Sequence, residues 1–447
     1  MVLIGGLAVI ATVRAATVDP YIAPGTIGTF SLSASLNTTA PGSTAFLTRQ
    51  EYELLPNRTK QVRHGWNLRE LATGTPIAVT ANVNGSFETV DSFIKKFGIS
   101  GLMVVKDGAI QLEKYQYGNQ PGSFDVIQSC TKSFVSTALG IAIAEGKISL
   151  NDTASKWVPE FTDTPYGDVQ LEDIANMVSG VSVPDNAINY FQVSADTAPD
   201  AVFNLFKTYT KAAAPNVVYN YLDQNYYVIA VALSRAIGEP IQNYITKNIW
   251  GPAGMQYDGI MRTTAAGQVD GHGGLGIALG DMARFALFVL DNIHGRGGPK
   301  VPHGWFHDIA KASSSKGIRA PGAIEVVPNF GYQTGWWTLP RGGDRYQLGD
   351  DFAFSALGTY DQAIYVIPGL NATIVYQSSF PTHYPNLFYY GQQFATAIAL
   401  ELKDRGIIQR LFRSYHQMAK GNAIQSIIRR WANQGLTKIA VYMETYI

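Results

Sequence analysis

The chain has 447 residues, 46% of them hydrophobic and 15% charged, and its 34 Lys and Arg balance 34 Asp and Glu to a formal net charge of zero. Such a composition supplies a large core and excludes a disordered chain, and neutrality argues against nucleic acid as a main partner. Cys130 stands alone, which excludes an intrachain disulfide and a cysteine-based zinc cluster. Lying beside Ser129 in an apolar run, it reads as a small buried hydrophobe.

Val2 to Val13 form an apolar stretch too short to span a bilayer, and Val13-Arg14-Ala15 puts small side chains where a signal peptidase reads them, although no positive segment precedes it. Residues 1–15 are therefore expected to be a secretory leader and the protein secreted or periplasmic, with a cytoplasmic protein as the alternative. Asn-x-Ser/Thr sites at Asn37, Asn57, Asn84, Asn151 and Asn371 would accept glycans in a eukaryotic export route. Residues 16–84, rich at first in Gly, Pro, Thr and Ser, are expected to be an extension packed over the main body.

Leu102 to Val105 and Ala109 to Leu112 flank Asp107-Gly108, the signature of a tight hairpin. Mostly helical patterns follow, among them 129–145, 223–237, 241–250 and 281–292. A second hairpin is expected from Ala363–Ile367 and Ala372–Tyr376 around Pro368-Gly369-Leu370-Asn371. Strands near both ends with helices between them predict an α/β (α+β) fold: an antiparallel sheet built from distant segments, flanked by helices, with a mostly helical second lobe at about 150–265. From Arg405 onward the chain carries seven Lys or Arg against Glu444 alone. This basic tail, 403–447, is expected to dock on the body or to be poorly ordered, with contact to a membrane surface as the alternative.

Ser129-Cys130-Thr131-Lys132 opens the run Phe134 to Ala144, which Gly146 closes. On a helix, residues three apart share a face, so a serine hydroxyl and a lysine amine come within reach of each other. Serine needs a base to become a nucleophile, and burial of the lysine is expected to lower its pKa into a useful range. Ser313-Ser314-Ser315-Lys316 repeats the spacing, but among Ser, Gly and Pro with no apolar run behind it, and reads as a loop.

Further segments follow in order: Gly146–Asp152; Leu171–Gly180, ending in Ser179-Gly180; Tyr221-Leu222-Asp223 followed by Asn225–Ala230; Gly251–Met255; and Gly273-Gly274-Leu275 through Asp281–Phe285. Together they resemble the serine β-lactamase and penicillin-binding-protein superfamily, in its esterase and 6-aminohexanoate-dimer hydrolase branch, over roughly residues 85–400. The resemblance implies a β-lactamase-like serine hydrolase domain at 85–402. It also implies a nucleophile at Ser129, proton transfer by Lys132 and Tyr221, and an oxyanion hole from the backbone N–H groups of Ser129 and Thr359. Tyr221 stands in the first place of a Tyr-x-Asn motif whose third place holds Asp223; Tyr219 is its competitor, and the register favours Tyr221.

The third family motif, commonly Lys or His followed by Thr and Gly, falls on Ala356-Leu357-Gly358, without the cation that helps to hold a β-lactam or D-Ala-D-Ala carboxylate. Gly358-Thr359-Tyr360-Asp361-Gln362 is similar to the Gly-x-x-Gly-Gln of the esterase branch, with Asp361 replacing a Gly. Asp223, Gly358 and Asp361 are thereby candidates for substrate contact. Trp336 and Trp337 are candidates to line an acyl or leaving-group pocket, core packing being the other reading.

The expected activity is cleavage of a small-molecule ester or amide through an acyl-enzyme, like a carboxylesterase or 6-aminohexanoate-dimer hydrolase, with no metal or cofactor. A β-lactamase or D-Ala-D-Ala peptidase is the alternative, and a non-catalytic binding or scaffold protein on the same fold is the alternative of another class. His272, in Gly271-His272-Gly273-Gly274, is the best base for a Ser-His-Asp hydrolase, but no Gly-x-Ser-x-Gly elbow supports that reading.

Overall fold

The computed structural model describes residues 58–297, 301–306, 309, 331–338, 353–380 and 386–418. Residues 1–15, expected to be a leader, the second Ser-x-x-Lys at 313–316 and the residues beyond 418 lie outside the described residues. The central sheet has eight strands: β1 (Ala72–Thr73), β2 (Ile99–Lys106), β3 (Ala109–Tyr115), β4 (Gly331–Gln333), β5 (Trp336–Thr338), β6 (Phe354–Gly358), β7 (Gln362–Ile367) and β8 (Ala372–Ser378). Their order is β4-β5-β6-β7-β8-β2-β3-β1, antiparallel except where β1 lies parallel to β3.

Both hairpins expected from the sequence are present. Asp107 and Gly108 turn the first with φ of 52° and 79°, as a two-residue turn with both centres left-handed requires. The second turns through Pro368–Leu370 and Asn371, at φ 47°. The two are joined by β8 against β2, with Ile374 opposite Val104 and Tyr376 opposite Leu102, so the two ends of the described chain meet in mid-sheet. β7 and β8 are buried along their whole length and lack alternation, the pattern of strands covered on both faces.

Four helices matter here: α1 (Thr131–Ala144), α2 (Gln224–Ile237), α3 (Leu279–Ile293) and α4 (Asn386–Met418). Neighbours on β8 point to opposite sides. Gln377 Nε2 donates to Ile277 O, just ahead of α3, at 2.7 Å, while Tyr376 faces Gly391 of α4. α1 is buried from Thr131 through Ala142, which explains why its sequence is apolar all round. Its Phe134 ring stacks on Phe285 of α3 at 3.6 Å.

The segment expected to be one helix at 241–250 is an α-turn, Ile241–Ile245, that widens to a π-turn at Thr246–Trp250. Pro252 follows at once and removes a backbone donor. In the lead-in, Thr59–Val62 pairs with Gly259–Arg262 in a second sheet that continues through Leu275–Ile277 to Asp125–Val126. That sheet delivers the chain to the Ser129 turn. At the other end α4 runs unbroken across 402–403. Phe394, Ala395, Ile398, Ala399 and Leu402 are buried, and Phe394 stacks on Phe93 at 3.8 Å, so the first part of the basic segment continues a docked helix. Among the described residues no helix is long and apolar enough to cross a membrane.

Candidate active site

Ser129 sits in a single 3-10 turn, Gln128–Cys130, that leads into α1. Gln128 is left-handed at φ 46°, a conformation costly for a residue with a side chain and found where a site needs a group aimed. The turn is pinned from the second sheet, where Ile127 N donates to Leu275 O at 2.9 Å and Leu275 N donates to Thr131 Oγ1 at 3.1 Å.

Lys132 lies in the first turn of α1, one turn on from Ser129, with 1% of its side chain exposed. Its Nζ has three acceptors: Asp223 Oδ1 at 2.6 Å, His272 O at 2.8 Å and Ser129 Oγ at 2.9 Å. An ammonium has three N–H donors and no acceptor, so the geometry satisfies the charged form in full. The His272 carbonyl is aimed by the turn around it, with Gly271 at φ 68° and Gly274 at φ 78°. Burial acts to lower the Lys132 pKa, but the Asp223 carboxylate and the Tyr221 phenol more than offset it and hold the amine above the ordinary lysine value. The lowered pKa expected from burial alone is therefore corrected: Asp223 supplies the counter-charge.

Asp223 keeps 44% of its side chain open to the cleft. Burial pushes its pKa up, but Lys132 and His272 overcome that and hold the carboxyl below its usual range. Expected as a substrate contact, Asp223 is foremost the partner of Lys132.

Tyr221 brings its phenol within hydrogen-bonding reach of Ser129 and Lys132, and Lys132 Nζ lies 4.9 Å from its ring centroid. Burial raises the phenol pKa, and Lys132 counteracts part of that. Tyr219 is instead buried, with its ring 6.0 Å from that of Tyr332. The segment is held by Asn225 of α2, which accepts from Tyr166 Oη at 2.9 Å and Ser179 Oγ at 3.3 Å and donates to Ile174 O at 3.1 Å. Asn225 thus ties the Leu171–Gly180 stretch to the helix that follows Asp223.

The remaining candidates divide between cleft and core. Trp337 stacks on Tyr221 with centroids 5.4 Å apart. Trp336, one residue earlier on β5, turns to the other face and packs against Phe285, Phe306 and Phe354, so it belongs to the core. Gly358 closes β6 against the nucleophile turn, where a Cβ would stand 2.5 Å from Ile127 O and 3.2 Å from Gln128 Cβ. This brings the strand end that carries Thr359 against the turn that carries Ser129. Asp361 is left-handed at φ 68° and buried, with Oδ1 accepting from Tyr376 Oη at 3.3 Å beneath α4. It lies in the turn between β6 and β7, packed against Gly391 of α4, and burial drives its pKa well above the carboxylate range.

A second cluster backs the site. Asp270 accepts from Arg262 Nε at 2.5 Å and from Tyr190 Oη at 2.8 Å, and the His272 ring lies 5.2 Å from Tyr190 edge-on. Burial, against the pull of Asp270 and Asp223, pushes the His272 pKa down to about 4. Its ring is neutral at neutral pH, and its contribution to Lys132 is the backbone carbonyl. Cys130 is buried, with Sγ 3.7 Å from Gln362 O. Among the described residues no three His, Cys, Asp or Glu side chains gather as a metal site.

The chain matches known proteins in family and fold. A model of the Beta-lactamase family fits residues 88–386. The 6-aminohexanoate-dimer hydrolase of Paenarthrobacter ureafaciens is 23% identical over 292 residues, which cover 62% of this chain and 72% of that protein. Among solved structures, a Bacillus anthracis protein provisionally named 6-aminohexanoate-dimer hydrolase superposes with a TM-score of 0.67 at 20% identity, covering 81% of this chain and 95% of its own. EstCE1, a hydrolase with promiscuous acyltransferase activity, does so with a TM-score of 0.55 at 14% identity over 69% and 96%. These structures share the fold. The family model spans the sheet from β2 to β8 together with Ser129, Lys132 and Tyr221; the chain belongs to the beta-lactamase family, the hydrolytic superfamily of serine β-lactamases and penicillin-binding proteins.

Proposed function

We propose that the protein hydrolyses small-molecule carboxylic esters or linear amides through an acyl-enzyme on Ser129. The observation that carries this reading is the trio of acceptors around Lys132 Nζ. When the amine loses its proton, two N–H groups still satisfy Asp223 and His272 O, and the third vertex, now a lone pair, meets the Ser129 hydroxyl. Two fixed acceptors thus aim the base at the nucleophile.

Ser129 Oγ attacks the substrate carbonyl carbon as its proton passes to Lys132. The oxyanion forms toward the backbone N–H groups of Ser129 and Thr359. Collapse breaks the bond to the leaving alcohol or amine, which takes a proton relayed from Lys132 through the Tyr221 hydroxyl. A water then attacks the acyl carbon, giving its proton through Tyr221 to Lys132, and the C–O bond to Ser129 breaks as Lys132 returns that proton to Ser129 Oγ. The absence of a cation at Ala356-Leu357-Gly358 favours esters and linear amides over β-lactams, because a carboxylate beside the scissile bond meets no counter-charge there. The relationship to a 6-aminohexanoate-dimer hydrolase supports including linear amides.

The test is turnover of p-nitrophenyl acetate and butyrate by the wild type and by Ser129→Ala, with fluorophosphonate labelling as a second readout. The reading expects wild-type turnover and labelling, both lost in Ser129→Ala, and little or no nitrocefin hydrolysis. A wild type that neither turns over nor labels overturns it.

A further inference from the structure

We propose that an exposed apolar rim on the helical lobe, formed by Val183, Ile188, Phe191, Val217 and Val218, binds an alkyl chain of the substrate; this rests on the hydrolase reading above and narrows its substrate class. Nine large apolar side chains stand exposed among the described residues. Of the other four, Trp66 and Leu68 share the loop between Val62 and Ala72, and Phe87 and Leu400 stand singly on other elements, whereas these five fall on two neighbouring stretches of one lobe. Isolated exposed apolar residues are ordinary, but a cluster beside a cleft marks a ligand surface.

The two stretches are stitched together by backbone. Val181–Ser182, which lead directly into Val183, pair antiparallel with Thr210–Lys211. Asn216 N donates to Val178 O at 2.8 Å, and Asn220 Nδ2 donates to Val181 O at 3.0 Å. The rim is also continuous with the candidate site. The Phe191 ring is 52% exposed yet lies 6.0 Å, edge-on, from the ring of His272, the residue whose carbonyl holds Lys132. Val218 precedes Tyr221 by three residues, and Tyr221 continues the apolar wall into Trp337 and Tyr332. Arg262, whose guanidinium lies 5.4 Å from the Phe191 ring centroid, is engaged by Asp270, so its charge is matched within the protein.

A chain laid on such a surface gains roughly two- to fourfold in kcat/KM per methylene removed from water. The experiment measures kcat/KM for p-nitrophenyl acetate, butyrate, hexanoate and octanoate, and for ethyl through octyl acetate, with the wild type, Phe191→Ser and Val217→Ser. The readout is the long-to-short ratio on one preparation, so any loss of folded protein cancels. The expected result is a ratio that climbs about tenfold or more in one of the two series, identifying acyl or alcohol chain as the occupant, and falls about threefold or more in each variant. Wild-type turnover independent of chain length in both series, as expected if another segment of this chain or a second copy covers the rim, overturns the rim alone. Ratios unchanged in the variants do the same. Absence of all ester turnover overturns the rim proposal, and the hydrolase reading falls with it only where fluorophosphonate labelling is absent too.

Discussion

Lys132 Nζ lies 2.6 Å from Asp223 Oδ1, and that ion pair sets the pH at which the candidate base is available. Asp223 stands where the resemblance expects Asn, and with Tyr221 it keeps the amine charged despite burial. The reactive form needs the neutral amine, so kcat/KM should climb into the alkaline range. Asp223→Asn keeps a hydrogen-bond acceptor but removes the charge. It lowers the Lys132 pKa, and the Tyr221 pKa moves the same way, because Asp223 raises that too. The acid limb of the pH–rate profile is expected to move to lower pH, whichever of the two groups it reports. A limb that stays in place, measured with p-nitrophenyl butyrate, would show that neither group controls it.

The hydroxyl of Tyr221 is separable from its ring. The ring stacks on Trp337 and meets Tyr332 edge-on, and Tyr221→Phe leaves that packing in place while deleting the proton relay. Loss of one positioned acid–base group costs about 10²- to 10⁴-fold. Tyr221→Phe is expected to lose kcat on that scale with KM nearly unchanged, whereas Tyr219→Phe, deep in the core, should retain kcat within about threefold. Steady-state kinetics on the two variants side by side decides which tyrosine takes part.

Much of this site was legible in the sequence because its parts are local. The Ser129–Lys132 spacing needs only one helical turn, and the Asp107-Gly108 turn needs only two residues that tolerate positive φ. What stayed hidden depends on contacts between distant segments. Lys132 reads as a buried amine until the fold brings Asp223 and the His272 carbonyl to it from elsewhere. Trp336 and Trp337 are both buried and indistinguishable as letters, and β5 sends one against Phe285 and the other against Tyr221. Asp361 occupies a turn whose residues have left-handed backbone, a reason for Gly in the related motif, and only the position of α4 beneath the hairpin shows that its carboxyl is buried.

Gly335 is a point where a single methyl group should disturb both stability and site. It is left-handed at φ 82°, and a Cβ there would stand 2.8 Å from Lys132 O, 2.9 Å from Ser136 Cβ and 2.9 Å from Tyr226 Oη. Its carbonyl also accepts from Ser133 Oγ at 2.6 Å. Overpacking of this kind costs about 1–3 kcal/mol, and the backbone conformation adds about 1 kcal/mol more. Gly335→Ala is expected to lower the urea midpoint accordingly and to reduce kcat by displacing the first turn of α1. A variant as stable as the wild type would mean that β5 yields without strain.

His272 and Asp361 should pull the stability–pH curve in opposite directions. Burial pushes the His272 pKa from 6.5 down to about 4, so between those values the unfolded chain binds a proton that the folded one refuses. The stability tied to His272 is full above pH 6.5 and is lost as pH falls, by about 1.4 kcal/mol per unit, levelling off below 4. Burial raises the Asp361 pKa well above 3.8, so there the folded chain holds a proton that the unfolded one has released. Its contribution is full below 3.8 and is lost as pH rises through the folded value. Where the two titrations overlap the slopes oppose each other, and the wild-type curve is expected to be shallower than that of either single variant. His272→Gln should unmask Asp361, with stability rising as pH falls, and Asp361→Asn should unmask His272, with stability falling. Carboxylates held below their usual range, Asp223, Asp270 and Glu145 among them, act only below about 4.5, whereas Asp281, whose pKa burial raises, adds to the Asp361 slope in the wild type and in both variants. Urea unfolding of the three proteins at pH 4.5, 5.5 and 6.5 reads the slopes directly, and two variants that run parallel to the wild type would remove both assignments.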